Sequence, residues 1–167
     1  FVAPRDPEAA KGRENWWKLD PPTHNYREKC YYHDMVPAKD GTVTCAIVNT
    51  GFPSVARLVG TRALKKSGEG FGVYVKYHKK ELPRFTEWKQ MGEQDYVVGF
   101  EPCNCGVEGR HVDEELGLLH AIRPGESKVF RLEFGPITSD EEVQSLLTAR
   151  KKIKTQLVTS YKQFVKK

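Results

Sequence analysis

The chain contains no apolar run approaching the ~18 residues that a membrane-spanning helix needs, which excludes that class. It also lacks a charged N-terminal stretch followed by a long apolar one, so no secretory signal is visible at its start. There is no initiator methionine, and the N-terminus reads as processed, cloned or truncated. Cysteine is scarce, with four in 167 residues, far below the density of a disulfide-stapled secreted scaffold. Cys103 and Cys105 are separated by one residue, where zinc ligands are usually separated by two to four, and no second pair stands at ligand spacing. The expectation is therefore no metal, free thiols, and a reducing cytoplasmic setting.

A basic face is missing too. The net charge is +5, but residues 138–167 hold seven basic and three acidic groups, leaving 20 and 19 in the first 137. A balanced body carries no electrostatic footprint for nucleic acid. What the chain does have is 18 aromatic residues, too many for a solvating linker, and a length suited to one domain or part of one.

Patterning points to β structure. Lys29 to His33 and Thr42 to Val48 are β-branched and aromatic runs separated by Pro37, Asp40 and Gly41, the pattern of strand, turn, strand. Residues 49–70 are glycine- and proline-punctuated and read as a long loop or insertion with one short element. Phe71 to Tyr77 alternates cleanly. Further strands are expected at 84–89, 96–100 and 128–134, the last alternating apolar and charged residues after Pro124-Gly125-Glu126. From Thr138 the pattern changes. Ser139 is set as an N-cap before Asp140, Glu141 and Glu142, and apolar residues then recur at three and four through Val165. This predicts an amphipathic basic helix over 138–167, in one piece or broken, that packs on a β body spanning 1–137.

One stretch is dense in chemistry. Glu101 ends the apolar strand Tyr96 to Phe100, and Pro102 behind it is expected to stop regular pairing. A carboxylate in apolar company is a physically sensible general base, because desolvation raises its proton affinity toward neutrality. A plain strand-end glutamate remains the competing reading.

Several motifs in one order carry a resemblance. They are Val2-Ala3-Pro4-Arg5, Glu14-Asn15-Trp16, Cys30-Tyr31-Tyr32-His33-Asp34, Leu82 to Gly92, Tyr96 to Asn104, and Pro124-Gly125-Glu126-Ser127. Residues 1–137 resemble the C-terminal half of the aldose 1-epimerase-like family catalogued as a domain of unknown function, DUF4432, in the galactose mutarotase superfamily. The resemblance implies a mainly β fold: a partial, galactose mutarotase-like antiparallel β-sandwich that binds a sugar, here followed by the C-terminal helix.

It also implies an activity, the interconversion of aldose anomers by acid–base ring opening, which is proton transfer alone and needs no cofactor. Glu101 inherits the base, taking the proton of the anomeric hydroxyl while a histidine protonates the ring oxygen. That histidine comes from the half of the family domain preceding these residues, so little turnover is expected of this chain alone. His33, Trp88, Lys89 and Asn104 are the expected sugar contacts around Glu101. Two other readings stand beside the isomerase: a non-catalytic carbohydrate-binding module, and an interaction protein built from half a sandwich. The expected partners are a monosaccharide or sugar derivative, and a second copy or the other half of the sandwich; nucleic acid and membrane are not expected.

Overall fold

Alternating strands need a second layer or a helix to bury one face, and the chain meets that need in two places. In a computed structural model, residues 2–5, 16–60, 70–156 and 164–165 are described. The chain divides into two compact units, one of residues 1–35, 79–130 and 155–167, the other of residues 36–78 and 131–154.

The first unit is built on a four-stranded antiparallel sheet. Its strands are β1 (Val2–Pro4) and β2 (Lys29–His33), then, further along the chain, two strands given below with their places in the order. The second unit opens with β3 (Thr42–Val48), the short helix α1 (Pro53–Val59) and β4 (Gly72–His78). The chain then returns to the first sheet as β5 (Arg84–Met91) and β6 (Tyr96–Cys103), a hairpin, followed by the short helix α2 (Arg110–Glu115). It ends with β7 (Leu132–Ile137) and helix α3 (Asp140–Lys151) in the second unit. The first sheet runs β1-β2-β5-β6 and the second β3-β4-β7, with every pairing antiparallel.

The core of the second unit follows from alternation. Ala46, Val48, Tyr74 and Ile137 share one face of the three-stranded sheet, and Phe52, Val55, Val143, Leu146 and Leu147 from the helices cover it. Asp140 ties the helices together. Its carboxylate accepts from the Ser54 N–H at 2.9 Å and the Ser54 hydroxyl at 2.8 Å, supplying α1 with the cap its own sequence lacks. Ser139 caps α3, as the sequence predicts, and the structure adds the full reciprocal box with Glu142. Ser139→Ala is expected to cost about 1 kcal/mol in urea denaturation of the chain, the usual value of such a cap.

Three expectations need correction. The last strand is Leu132–Ile137 instead of 128–134, because hydrogen bonding to β4 selects it over the alternation upstream; Val129 and Phe130 are left exposed. Pro136 is tolerated because β7 is an edge strand. Pro102 does not end β6: it pairs with Phe85, and pairing continues to Cys103 opposite Arg84. β6 is also an edge, where a missing N–H is cheap. Finally, α3 stops at Lys151, and residues 153–156 are not helical. The expected short element in the 49–70 loop is α1, closed by Gly60 at φ 71°. Residues 6–15, 61–69 and 157–163, which carry part of the expected N-terminal segment, loop and helix, lie outside the described residues.

Candidate functional site

Residues opposite one another across an antiparallel pair point to the same face, so the register of the first sheet sorts every candidate. One row across β1-β2-β5-β6 is Ala3, Tyr32, Thr86 and Glu101. The next row on that face is Cys30, Trp88 and Gly99, extended beyond β1 by Arg5, whose N–H donates to the Cys30 carbonyl at 2.9 Å. Tyr31, His33, Phe85, Glu87 and Lys89 point the other way.

The five expected site residues therefore do not border one cleft. Glu101 and Trp88 share a face; His33 and Lys89 lie on the opposite one. Lys89 is 1% exposed and His33 5%. The Lys89 ammonium donates to the carbonyls of Trp16 at 2.5 Å and Lys18 at 3.0 Å and pairs with Glu87 Oε1 at 3.2 Å. The other oxygen of Glu87 lies 2.9 Å from His33 Nε2. The His33 ring also meets Trp16 and Phe85 edge-on, at 5.4 and 5.7 Å between centroids. These contacts bind the 16–18 segment to the sheet and leave both side chains sealed from a solute. Asn104, past the end of β6, lines an open cavity of about 420 Å³ with Lys80, Pro83, His120, Lys128 and Phe130.

On the Glu101 face the polar groups are differently disposed. The Glu101 carboxylate is half-buried and has no hydrogen-bond or ion-pair partner among the described residues. It folds back over Gly99, toward the row of Cys30 and Trp88. Trp88 is oriented by its indole N–H, which donates to Glu28 at 2.8 Å. At the far side, Glu108 accepts from the Tyr32 hydroxyl and pairs through Oε1 with Arg5 Nε at 3.1 Å. Glu108 in turn holds the Arg5 guanidinium above its ordinary proton affinity. Burial, then the bond to Glu108, pushes the Tyr32 phenol up, so it stays protonated and serves as a donor.

Cys30 sits among these charges. Burial pushes its thiol up to about 12, Arg5 opposes the shift, and the carboxylates of Glu101 and Glu108 add to it. A thiol of that kind is unreactive near neutrality. Cys105 is exposed, and all four cysteines are free. Alkylation with iodoacetamide at pH 8, read by peptide mass spectrometry, is expected to label Cys105 first and Cys30 last. Labelling of Cys30 as fast as Cys105 would contradict its burial. Among the described residues no group of three or more His, Cys, Asp and Glu side chains stands at metal-binding distance.

Arg5, Tyr32 and Gly99 stand inside the motifs that carry the resemblance, but the sequence gives them no place in the site and does not mark Glu108. Alternation marks Cys30 and Tyr32 as face-mates, but only the pairing of β2 with β5 puts them on the side of Glu101. Nothing local marks Glu108.

Comparison with known proteins agrees with this architecture. The chain is similar to the crystal structure of a "putative aldose 1-epimerase" from Klebsiella pneumoniae subsp. pneumoniae MGH 78578, with a TM-score of 0.75 and 19% identity. The match covers 94% of this chain and 38% of that one, so the chain spans well under half the length of its structural relative. That likeness establishes the fold. No curated protein matches the sequence at a significant level. Residues 1–135 match the family model of the domain of unknown function DUF4432. A match over that much of the chain, together with the motifs around Glu101, makes this protein a member of the DUF4432 family.

Proposed function

We propose that this chain carries the general-base side of a sugar epimerase site, interconverting aldose anomers with Glu101 as the base. The observation that carries the reading is the Glu101 carboxylate itself, half-buried on a sheet face and unpartnered among the described residues. Buried polar groups are normally satisfied, and a carboxylate left open on a sheet is available to a ligand hydroxyl. The epimerase description of the structural relative supports the same choice.

In the proposed reaction Glu101 takes the proton of the anomeric hydroxyl as the bond from C1 to the ring oxygen breaks. The free aldehyde rotates about C1–C2 and closes on its other face, returning the proton. Trp88 offers an aromatic surface for sugar C–H groups. Arg5 binds Glu108 through Nε, which leaves its terminal nitrogens for hydroxyls. The acid on the ring oxygen is the histidine that the resemblance places outside these residues. We place the reaction in carbohydrate metabolism and the protein in the cytoplasm, on the strength of its sparse cysteines. Among the described residues no helix is long and apolar enough to cross a membrane. The outer strand β7 exposes Leu132 and Phe134, the latter at 81%, which supports a sheet continued by further strands of a larger sandwich.

A carbohydrate-binding role without catalysis is the second reading. Its support is that no strand residue on the Glu101 face of the sheet is a histidine. Titrating the chain with aldoses by NMR, beside anomer-exchange measurements with and without added imidazole, separates the two. Shifts at Glu101, Trp88 and Arg5, with exchange faster than imidazole alone produces, support the epimerase. The same shifts with no gain in exchange favour the binding module. Shifts confined to the surroundings of His33 and Lys89, or none, overturn both.

A further inference from the structure

Gly99 lies two residues before Glu101 on β6 and shares its face. Its backbone is not in the left-handed region, so chain conformation does not require glycine here. A glycine inside a strand sacrifices packing and order, and normally marks a bulge or a close approach. The close approach at Gly99 is made by a side chain. A Cβ built there would fall inside 3.0 Å of Glu101 Oε1, 3.3 Å from Glu101 Cδ and 3.4 Å from Trp88 Cβ. Gly72 gives the contrast: beside the Val48 side chain, its Cβ would meet the Ile47 carbonyl oxygen and the Val48 Cα, backbone atoms of the neighbouring strand that cannot swing aside. Gly72 lets strands pair closely, whereas Gly99 makes room for a carboxylate.

We propose that Gly99 is a positioning residue for Glu101, its missing side chain forming the seat in which the base is held over the sheet. The inference rests on the reading of Glu101 as the base, but the geometry stands without it. With no hydrogen bond to fix the carboxylate, its place is set by shape: the open Cα of Gly99 beneath, with Trp88 beside it. Adding one methyl at 99 displaces the far end of a flexible side chain and leaves the strand paired. Restoring an ordinary contact moves the carboxylate by about 1 Å, a misplacement that costs about 10²-fold when the group must meet a proton in line.

The test is Gly99→Ala, alone and combined with Glu101→Asp. The single change is expected to leave thermal unfolding and sugar affinity unaltered and to lower the imidazole-supported anomer-exchange rate about 100-fold. In the Glu101→Asp background, where the shorter carboxylate no longer reaches residue 99, Gly99→Ala should have no further effect on the rate. Independent multiplicative losses would overturn the proposal. A readout free of catalysis is the carboxyl ¹³C resonance of Glu101, whose chemical shift should move in Gly99→Ala. An unchanged resonance would overturn the seat even if the protein proves to be an epimerase. A moved resonance in a chain without anomer exchange would keep the seat and remove the epimerase reading.

Discussion

Glu101→Gln is expected to slow the imidazole-supported interconversion of sugar anomers by about 10²–10⁴-fold, the usual contribution of a positioned acid–base group. Glutamine keeps the length, shape and hydrogen-bonding capacity of the side chain and removes only its ability to take a proton. Because Glu101 has no protein partner among the described residues, the substitution strands no donor and breaks no ion pair. Stability should be unchanged within about 0.5 kcal/mol, so a loss of rate reports on chemistry and not on folding. Sugar affinity should change far less than the rate, because a base acts in the transition state. NMR exchange for the rate and calorimetric titration for the affinity measure the two separately. Unaltered exchange in the variant would remove Glu101 from the mechanism; unaltered exchange with weakened binding would mark it as a ligand contact alone.

Lys89→Met has the opposite signature, a large loss of stability. The ammonium is 1% exposed and joins Glu87 to the carbonyls of Trp16 and Lys18. Methionine fills much of the same volume but leaves the buried Glu87 carboxylate and two part-buried carbonyls without that donor. Removing one partner of a buried pair typically costs 3–5 kcal/mol, about half of what a domain of this size has to lose. Chemical denaturation followed by tryptophan fluorescence measures it, with Trp16 reporting directly on the released segment. Pairing the change with Glu87→Gln should recover part of the loss, since the uncompensated charge is removed as well. A Lys89→Met chain as stable as the parent, but with weaker sugar binding, would instead place Lys89 at a ligand.

Local pattern determined much of the architecture. The alternation of Lys29 to His33, Thr42 to Val48 and Phe71 to Tyr77 is intrinsic to those residues, and each run forms a strand in nearly the same bounds. Ser139 with Glu142 three residues later starts a helix wherever the chain goes, because the cap closes within four residues. The ordered motifs from Val2 to Ser127 marked the family, and Glu101 as the chemically unusual carboxylate.

Trp88 and Lys89 are consecutive in a strand, so alternation alone forbids both from facing one cleft. The side taken by His33 was not legible, because a shift of β2 by one residue against β5 would exchange its faces. The extent of β7 likewise depended on its partner, since β4 offers hydrogen bonds to Leu132–Ile137 and none to Lys128–Phe130. The same holds for the neighbours of Glu101. Gly99 is close in sequence, but Tyr32, Cys30 and Arg5 reach its face only through inter-strand register, and Glu108 reaches it through a loop. Side-chain type and spacing settle what a segment can become; which groups meet is decided by pairing between strands far apart in the chain, and only the folded structure contains that information.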